Sequence, residues 1–535
     1  MIAFINGNII TMNNNKIAQA FIVENNVFTY VGSNDEILKI IKDANEIVDL
    51  KGKTVIPGIN DSHMHFLNYA VTKNNVNIYN VDSIETMISK TKEYIVENNP
   101  HKNDWIISRG WNENLFIEKK LPTRYDLDKI SCEYPIFFSR VCGHIGVANS
   151  KALELTGINS NTPNTEGGIV DKENGIPTGI LRENALNLIF NILPPMKKDT
   201  IKTLLKNSFE DLLKVGITSI QTEDVTHSRA LEPLICAYRE LEQENALPVR
   251  VNLQLALPDE KSINEATYMN LKTGIGNDKF KIGPIKLFLD GSLGGRTAAM
   301  KEEYCDVHSN GVLIYSSHQL NKITLAAYNA GFQIAAHAIG DNAIEQILNS
   351  YENIYKLNSK SKLRNIVIHC QFTNNKLIKK FKEIGAIASV QPCFVMSDYT
   401  IVKKAVGNAR AKDSYAWNDM LKNDIHVAFS SDAPIESFNP FEGIYAAVTR
   451  KDITGNPKEG WYKKQCISVY DALKCFTLGS AYASFEENIK GSIENGKLAD
   501  FVVISDNILK ISPDKIKDIT VLATYVGGEK KFSVS

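Results

Sequence analysis

Eight short runs rich in β-branched and apolar residues, most of them followed by a stretch of helical periodicity, constrain the fold of this 535-residue chain more than any other feature. They begin at Thr54-Val55-Ile56 and continue at Gly216–Gln221, Val249–Leu255, Ile282–Asp290, Phe332–His337, Asn365–His369, Ala386–Gln391 and Val427–Asp432. Helical patterns over Asp341–Lys356, Lys376–Glu383 and Pro440–Lys451 separate later members of the series. Near-continuous apolar strands alternating with helices read as parallel strands covered on both faces. Eight such units predict a closed α/β architecture, a (β/α)₈ TIM-type barrel over residues 55–487.

One gap breaks the rhythm. About 150 residues separate the first run from the second, far more than a strand-to-helix unit needs. An inserted subdomain is therefore expected over about residues 70–200, with strands at Trp105–Arg109 and Pro135–Arg140 and an amphipathic helix over Ser83–Glu97. An insertion after barrel strand one leaves from the C-terminal face, so it is expected to cover the site as a lid or wall. The two chain ends have a third character. Residues 1–54 and 488–535 alternate short apolar runs with Asn and Gly turns, and neither piece alone has enough strands to bury a face. They are predicted to join as one composite β-sandwich.

The first run leads into Pro57-Gly58-Ile59-Asn60-Asp61-Ser62-His63-Met64-His65. Residues two apart on a strand share a face, so His63 and His65 converge as half of a metal site, with Asp61 one step deeper. Taken alone, His-x-His is equally compatible with a surface loop. The rest of the series decides between these readings. Lys286 and Asp290 fall late in run four, His337 ends run five, His369 ends run six and Asp432 ends run eight. The chain has only ten histidines, and four of them sit at this rim. Neutral imidazoles with carboxylates suit one or two divalent cations, zinc foremost, with manganese, iron or nickel as alternatives.

In this order of residues the chain resembles the amidohydrolase superfamily, and its local wording is similar to the YtcJ-like branch that includes N-substituted formamide deformylases. The pieces that carry the resemblance are Pro57–His65, Lys286–Ala298 with Asp290-Gly291-Ser292-Leu293-Gly294, His337–Asp341, Ser430–Pro434, Gly143-His144 with Asn149–Leu153, and Gly496–Ile504. One departure is Ile368, where the branch often has Glu before the strand-six histidine; alternation turns that neighbour away from the metals. The resemblance implies a metal-dependent barrel hydrolase with His63, His65, Lys286, His337, His369 and Asp432 as metal residues. It also implies that Lys286, a lysine inside an apolar strand, has the option of reacting with CO₂ to give N6-carboxylysine. The alternative is a plain amine, hydrogen-bonded or paired with Asp290.

These parts lead to an expected function. A cation-activated water attacks a C–N bond, Asp432 serves as general base and acid, and His337 or a second metal polarises the carbonyl. The expected substrate is a small linear amide, N-acyl or N-formyl compound. A deaminase or cyclic-amide hydrolase on the same scaffold, or a catalytically silent small-molecule binder, are the alternatives. Trp111, His144, Asp290 and Arg296 are candidates for substrate contacts, with packing and loop anchoring as the competing reading for Trp111 and Arg296. The glycines after Asp290 lack the strand-to-helix setting and lysine of a phosphate-binding loop.

Net charge of −1 offers no electrostatic case for nucleic acid or an anionic membrane. No apolar run approaches the roughly 20 residues of a membrane helix, and the start of the chain lacks a basic, cleavable leader, so a cytoplasmic location is the expectation. The eight cysteines are scattered without a Cys-x-x-Cys pair, which argues against a disulfide framework or zinc knuckle. A homodimer is an open assembly option.

Overall fold

The computed structural model describes residues 1–14, 16–41, 46–141, 143, 145–165, 167–357 and 364–534. The chain forms two compact units, residues 1–66 with 201–535, and residues 67–200.

The larger unit is built on eight parallel strands in sequential order: Ile59–Met64, Ile217–Glu223, Arg250–Ala256, Phe280–Phe288, Ile334–Ala338, Ile366–His369, Ile387–Val390 and Val427–Phe429. The seam between the last strand and the first is stitched at the C-terminal end. Ser62 Oγ donates to the Phe429 carbonyl at 3.0 Å, Asp432 N to the His63 carbonyl at 2.9 Å, and His65 N to the Ala433 carbonyl at 2.8 Å. Nearly every residue of these strands is buried, which is why their sequences read as apolar runs without alternation.

Helices close the outer face by the same logic. Asp341–Leu357 buries Ala343, Ile344, Ile347, Leu348, Tyr351 and Ile354, a stripe at three- and four-residue spacing. Tyr351 lies against the strands, its hydroxyl donating to the Ile366 carbonyl at 2.9 Å. Asn374 caps Asn375–Ile384 by accepting from Leu377 N at 3.0 Å, and Gly385 ends that helix in the left-handed region at φ 66°.

The first barrel strand begins later than the sequence suggests. Thr54–Pro57 pairs antiparallel with Phe501–Ile504 and parallel with Asn8–Ile10, so it belongs to the terminal sheets. Two short strands share one apolar run here, and the chain crosses between sheets at Gly58. A Cβ at that position would lie 2.1 Å from Thr218 Oγ1, so the crossing needs glycine. The barrel boundary therefore sits at Ile59 rather than Val55.

The chain ends form two sheets. One contains Val27–Gly32, Ala20–Glu24, Ile2–Ile5 and Glu46–Asp49; the other runs Glu529–Ser533, Val521–Val526, Phe501–Ile504, Thr54–Pro57, Asn8–Ile10 and Ile17–Ala18. Phe4, Phe21 and Phe28 from the front of the chain pack on Phe501 and Tyr525 from the back, with Phe4–Phe21 centroids at 4.8 Å and Phe501–Tyr525 at 4.4 Å. Neither end owns this core. Asp500 also pins the tail to the barrel, its carboxylate accepting from Arg250 Nε at 2.7 Å and Nη2 at 2.9 Å.

The smaller unit carries a five-stranded sheet in the order Gly168–Glu173, Ile176–Glu183, Ile145–Ala148, Ile136–Arg140, Ile106–Trp111. Its helix Ile84–Asn98 is capped by Ser83, which accepts from Thr86 N at 3.0 Å. No helix among the described residues is long and apolar enough to cross a membrane.

Candidate active site

The C-terminal ends of the barrel strands bring six sequence-predicted side chains to one place. His63 and His65 close strand one, and the Nε2 atoms of both approach Asp432 Oδ1, at 3.3 and 3.4 Å. Lys286 Nζ lies 3.4 Å from His63 Nε2. The ring of His369 is 6.1 Å from that of His63, and His337 follows at 4.5 Å from His369. Asp432 and His369 occupy the left-handed region at φ 59° and 77°, a backbone cost typical of functional positions.

Hydrogen bonds fix which ring nitrogen faces inward. His63 Nδ1 donates to Gln254 Oε1 at 2.8 Å, His65 Nδ1 to the Glu223 carbonyl at 2.8 Å, and His369 Nδ1 to Gln391 Oε1 at 2.8 Å. Each leaves Nε2 as a lone-pair donor. His337 is reversed: its Nε2–H donates to the Gly291 carbonyl at 3.0 Å, leaving Nδ1. Asp61 stands behind the cluster, accepting from Ser431 Oγ at 2.5 Å, Ser431 N at 3.1 Å and His63 N at 3.1 Å. It holds strand one and the loop after strand eight in register.

Asp432 Oδ1 is buried and has no hydrogen-bond partner, although the Nε2 atoms of His63 and His65 lie 3.3 and 3.4 Å from it. Oxygen and nitrogen lone pairs aimed at one another are the signature of a cation site, and one ligand atom each of His63, His65 and Asp432 lie within 4.8 Å of one another. Electrostatics agree. Burial, helped by the Lys286 charge, drives His63 down to about 4. Burial likewise holds His369 well below its ordinary value, keeping both rings neutral. Burial opposes ionisation of Asp432, but contacts from His63 and His65 outweigh it and hold the carboxylate well below its ordinary range. Burial works against charge on His65 as well, yet Asp432 and Glu223 together raise it to about 10. Without metal, the cluster is balanced by a proton on His65, which a divalent cation would replace.

Lys286 is 1% exposed and lies 4.0 Å from the Phe288 ring centroid. Burial lowers its pKa to about 8, against the pull of Glu223 and Asp432. No carboxylate forms an ion pair with it among the described residues.

Three predicted substrate contacts have structural partners instead. Trp111 lies in the core of the smaller unit with Phe116, its Nε1 donating to the Phe138 carbonyl at 3.0 Å. The Asp290 carboxylate accepts from Ala299 N at 2.9 Å, Gly340 N at 2.8 Å and Ile339 N at 3.1 Å, and its Oδ1 lies 3.3 Å from His337 Nε2, so it braces that ring and the loop behind it. Arg296 is paired with Asp306 at 2.7 Å and donates to the Leu293 carbonyl at 2.8 Å, anchoring its own loop. His144 lies outside the described residues.

The sequence reading missed Glu223, His227, Gln254 and Gln391. Strand two runs two residues beyond its expected end at Gln221, which carries Glu223 to the rim. Glu223 is fully buried, and despite burial the contact with His65 lowers its carboxylate to about 2. Neutral amides such as Gln254 and Gln391 carry no signal at all until the ring they orient is known.

The model of the amidohydrolase family matches residues 46–530. YtcJ of Bacillus subtilis (strain 168), named as an amidohydrolase, is 32% identical over 96% of this chain and 95% of its own. The N-substituted formamide deformylase of Arthrobacter pascens is 26% identical over 99% and 97%. The crystal structure of an uncharacterized metal-dependent hydrolase from Pyrococcus horikoshii OT3 superposes with a TM-score of 0.82 at 28% identity, covering 96% of this chain and 99% of that one.

Proposed function

Because this chain belongs to the amidohydrolase family, we propose that it hydrolyses the C–N bond of a linear amide, N-acyl or N-formyl compound at this metal site. The observation that carries the reading is the convergence of His63, His65, Lys286, His337, His369 and Asp432 at one barrel rim, with Asp432 Oδ1 buried and unpartnered. The name of the Arthrobacter pascens relative supports the formyl option.

His63, His65 and Asp432 would hold one divalent cation, for which zinc is our first assignment; His369 Nε2 and His337 Nδ1 would hold a second. A cation there makes water nucleophilic near neutral pH and polarises a carbonyl oxygen. Lys286 takes up CO₂ in this reading: its free-base nitrogen bonds the carbon of CO₂, the proton leaves to water, and an anionic carbamate results. Burial favours the step, since it lowers the amine to about 8 and so raises its free-base fraction near neutral pH.

Asp432 accepts the proton of the attacking water as the C–O bond forms, then returns it to nitrogen as the C–N bond breaks, giving a carboxylic acid and an amine. His337 Nε2–H stays on the Gly291 carbonyl and so fixes the ring with Nδ1 facing the second cation, which would polarise the substrate oxygen. Gln254 and Gln391 keep the rings in the required tautomers.

A panel of N-formyl and N-acyl amines, assayed with zinc- and manganese-loaded protein and with Asp432→Asn as control, tests the reading. Amine release that disappears in the variant supports it. Turnover confined to ring amines, with ammonia released, would replace it with a deaminase. Turnover of neither class by fully metal-loaded protein would overturn it.

A further inference from the structure

Beyond the catalytic cluster, a second group of metal-capable side chains gathers on the other edge of His65. Glu223 ends barrel strand two, and His227 follows on the single turn Val225–Ser228. Glu223 is the last residue of the strand and His227 lies in the turn just after it, so both stand at the same strand end. One carboxylate oxygen of Glu223, one ring nitrogen of His227 and one of His65 lie within 4.8 Å of one another.

The hydrogen bonding leaves two of these groups open. Glu223 is fully buried; its Oε1 accepts from Thr226 N at 2.9 Å, whereas Oε2 has no hydrogen-bond partner. His227 Nδ1 is likewise buried without a partner. His65 Nδ1, 3.4 Å from Glu223 Oε2, is already committed as a donor to the Glu223 carbonyl. Glu223 Oε2 faces His65 Nδ1 at 3.4 Å without a hydrogen bond, and His227 Nδ1 has no hydrogen-bond partner, so each keeps a buried lone pair that a cation would satisfy. They do not join each other, because no ion pair within 4.0 Å links them among the described residues.

We propose that Glu223 Oε2 and His227 Nδ1 form a second, exchangeable site for a divalent transition-metal cation, distinct from the one at His63 and Asp432. The mixed nitrogen and oxygen donors select zinc-type ions over calcium or magnesium, which take oxygen alone. Metal-to-ligand distances of about 2.0–2.2 Å require the two side chains to close slightly from their present separation. Two protein donors leave the remaining positions to water, so the site binds weakly and fills only after the catalytic cluster. Its occupancy acts on the reaction through His65. A cation on Glu223 cancels the negative charge that faces His65 Nδ1–H and weakens that ring as a metal ligand, so excess metal inhibits.

Cobalt titration of the full-length protein, with its tight sites already loaded with zinc, tests this. Wild type is expected to take up one further equivalent. His227→Asn is expected to weaken that uptake by at least about 100-fold, more than the loss of a supporting contact costs, while the tight equivalents stay in place. His227→Cys replaces nitrogen by a sulfur donor and is expected to develop a thiolate-to-cobalt charge-transfer band that wild type, with the same eight native cysteines, does not show. Unchanged uptake in His227→Asn, or no such band in His227→Cys, would overturn the site. The outcome is separable from the functional reading, because His63→Asn strips the tight equivalents alone. Retention of those equivalents in His63→Asn would sink the catalytic cluster and leave the Glu223–His227 site standing.

Discussion

Replacing Asp432 by Asn isolates proton transfer from nearly everything else the residue does. Asn keeps the side-chain volume and an oxygen that can face a cation, and it tolerates the left-handed backbone at φ 59° better than other residues. The Asp432 N–H bond to the His63 carbonyl at 2.9 Å involves backbone only, so the seam between strands eight and one survives. The base is lost. A positioned general base contributes about 10² to 10⁴ in rate, or about 3–5 kcal/mol at ~1.36 kcal/mol per decade. Steady-state turnover should therefore fall by that factor at saturating zinc, with metal content measured on the same sample and a thermal melt showing an intact fold. Partial metal loss would mix a ligand role with the base role; raising zinc to saturation removes that component and leaves the deficit in proton transfer. Activity within tenfold of the parent, at full metal occupancy, would refute the assignment of Asp432 as the base.

Four further outcomes follow from the geometry. Intact mass of freshly purified, metal-loaded protein should exceed the sequence mass by one CO₂ and return to it on acidification, and an unmodified Lys286 beside two bound cations would exclude the carbamate. Metal binding to stripped protein should release close to one proton at pH 7–8, because the cation displaces the proton that holds His65 at about 10, and affinity should rise with pH until it nears that value; calorimetry in buffers of different ionisation enthalpy measures the count. Asp500→Asn should destabilise by about 1.5–3 kcal/mol, since it removes the buried partner of Arg250 and leaves it the half-exposed Asp278. Burial opposes ionisation of Asp500, but Arg250 lowers its folded pKa, so this stabilisation is complete above the unfolded value of about 3.9 and is lost as pH falls through the folded one; denaturant melts against pH should show no such loss in the variant. Gly58→Ala should cost about 1–3 kcal/mol through the contact its Cβ makes with Thr218 Oγ1, and Thr218→Ala in the same chain should restore part of it; additive losses would rule the contact out.

Seven of the eight barrel strands could be placed from sequence because burial on both faces writes itself as an unbroken apolar run, with Ile366–His369 and Val427–Phe429 as clear cases. Thr54–Pro57 has the same composition as a barrel strand, and only its partners Phe501–Ile504 and Asn8–Ile10 assign it to the terminal sheets. Composition reports that a segment is buried, not against what.

The site divides along the same line. Titratable residues at strand ends were legible: strand alternation sets the side on which His63, His65, Lys286, His337 and His369 emerge, and the parallel topology sends their ends to one rim. Whether a polar side chain there is open to a ligand was decided only by folding. Asp290 and Arg296 stand near the rim in sequence but are consumed by the Ala299, Ile339 and Gly340 amides and by Asp306. Trp111 is consumed by its own core. Glu223 and His227, silent in the sequence, keep donor atoms without partners. Hydrogen-bond saturation depends on atoms 9 to 50 residues away in the chain for Asp290 and Arg296, brought up only by the fold, and no local pattern encodes it.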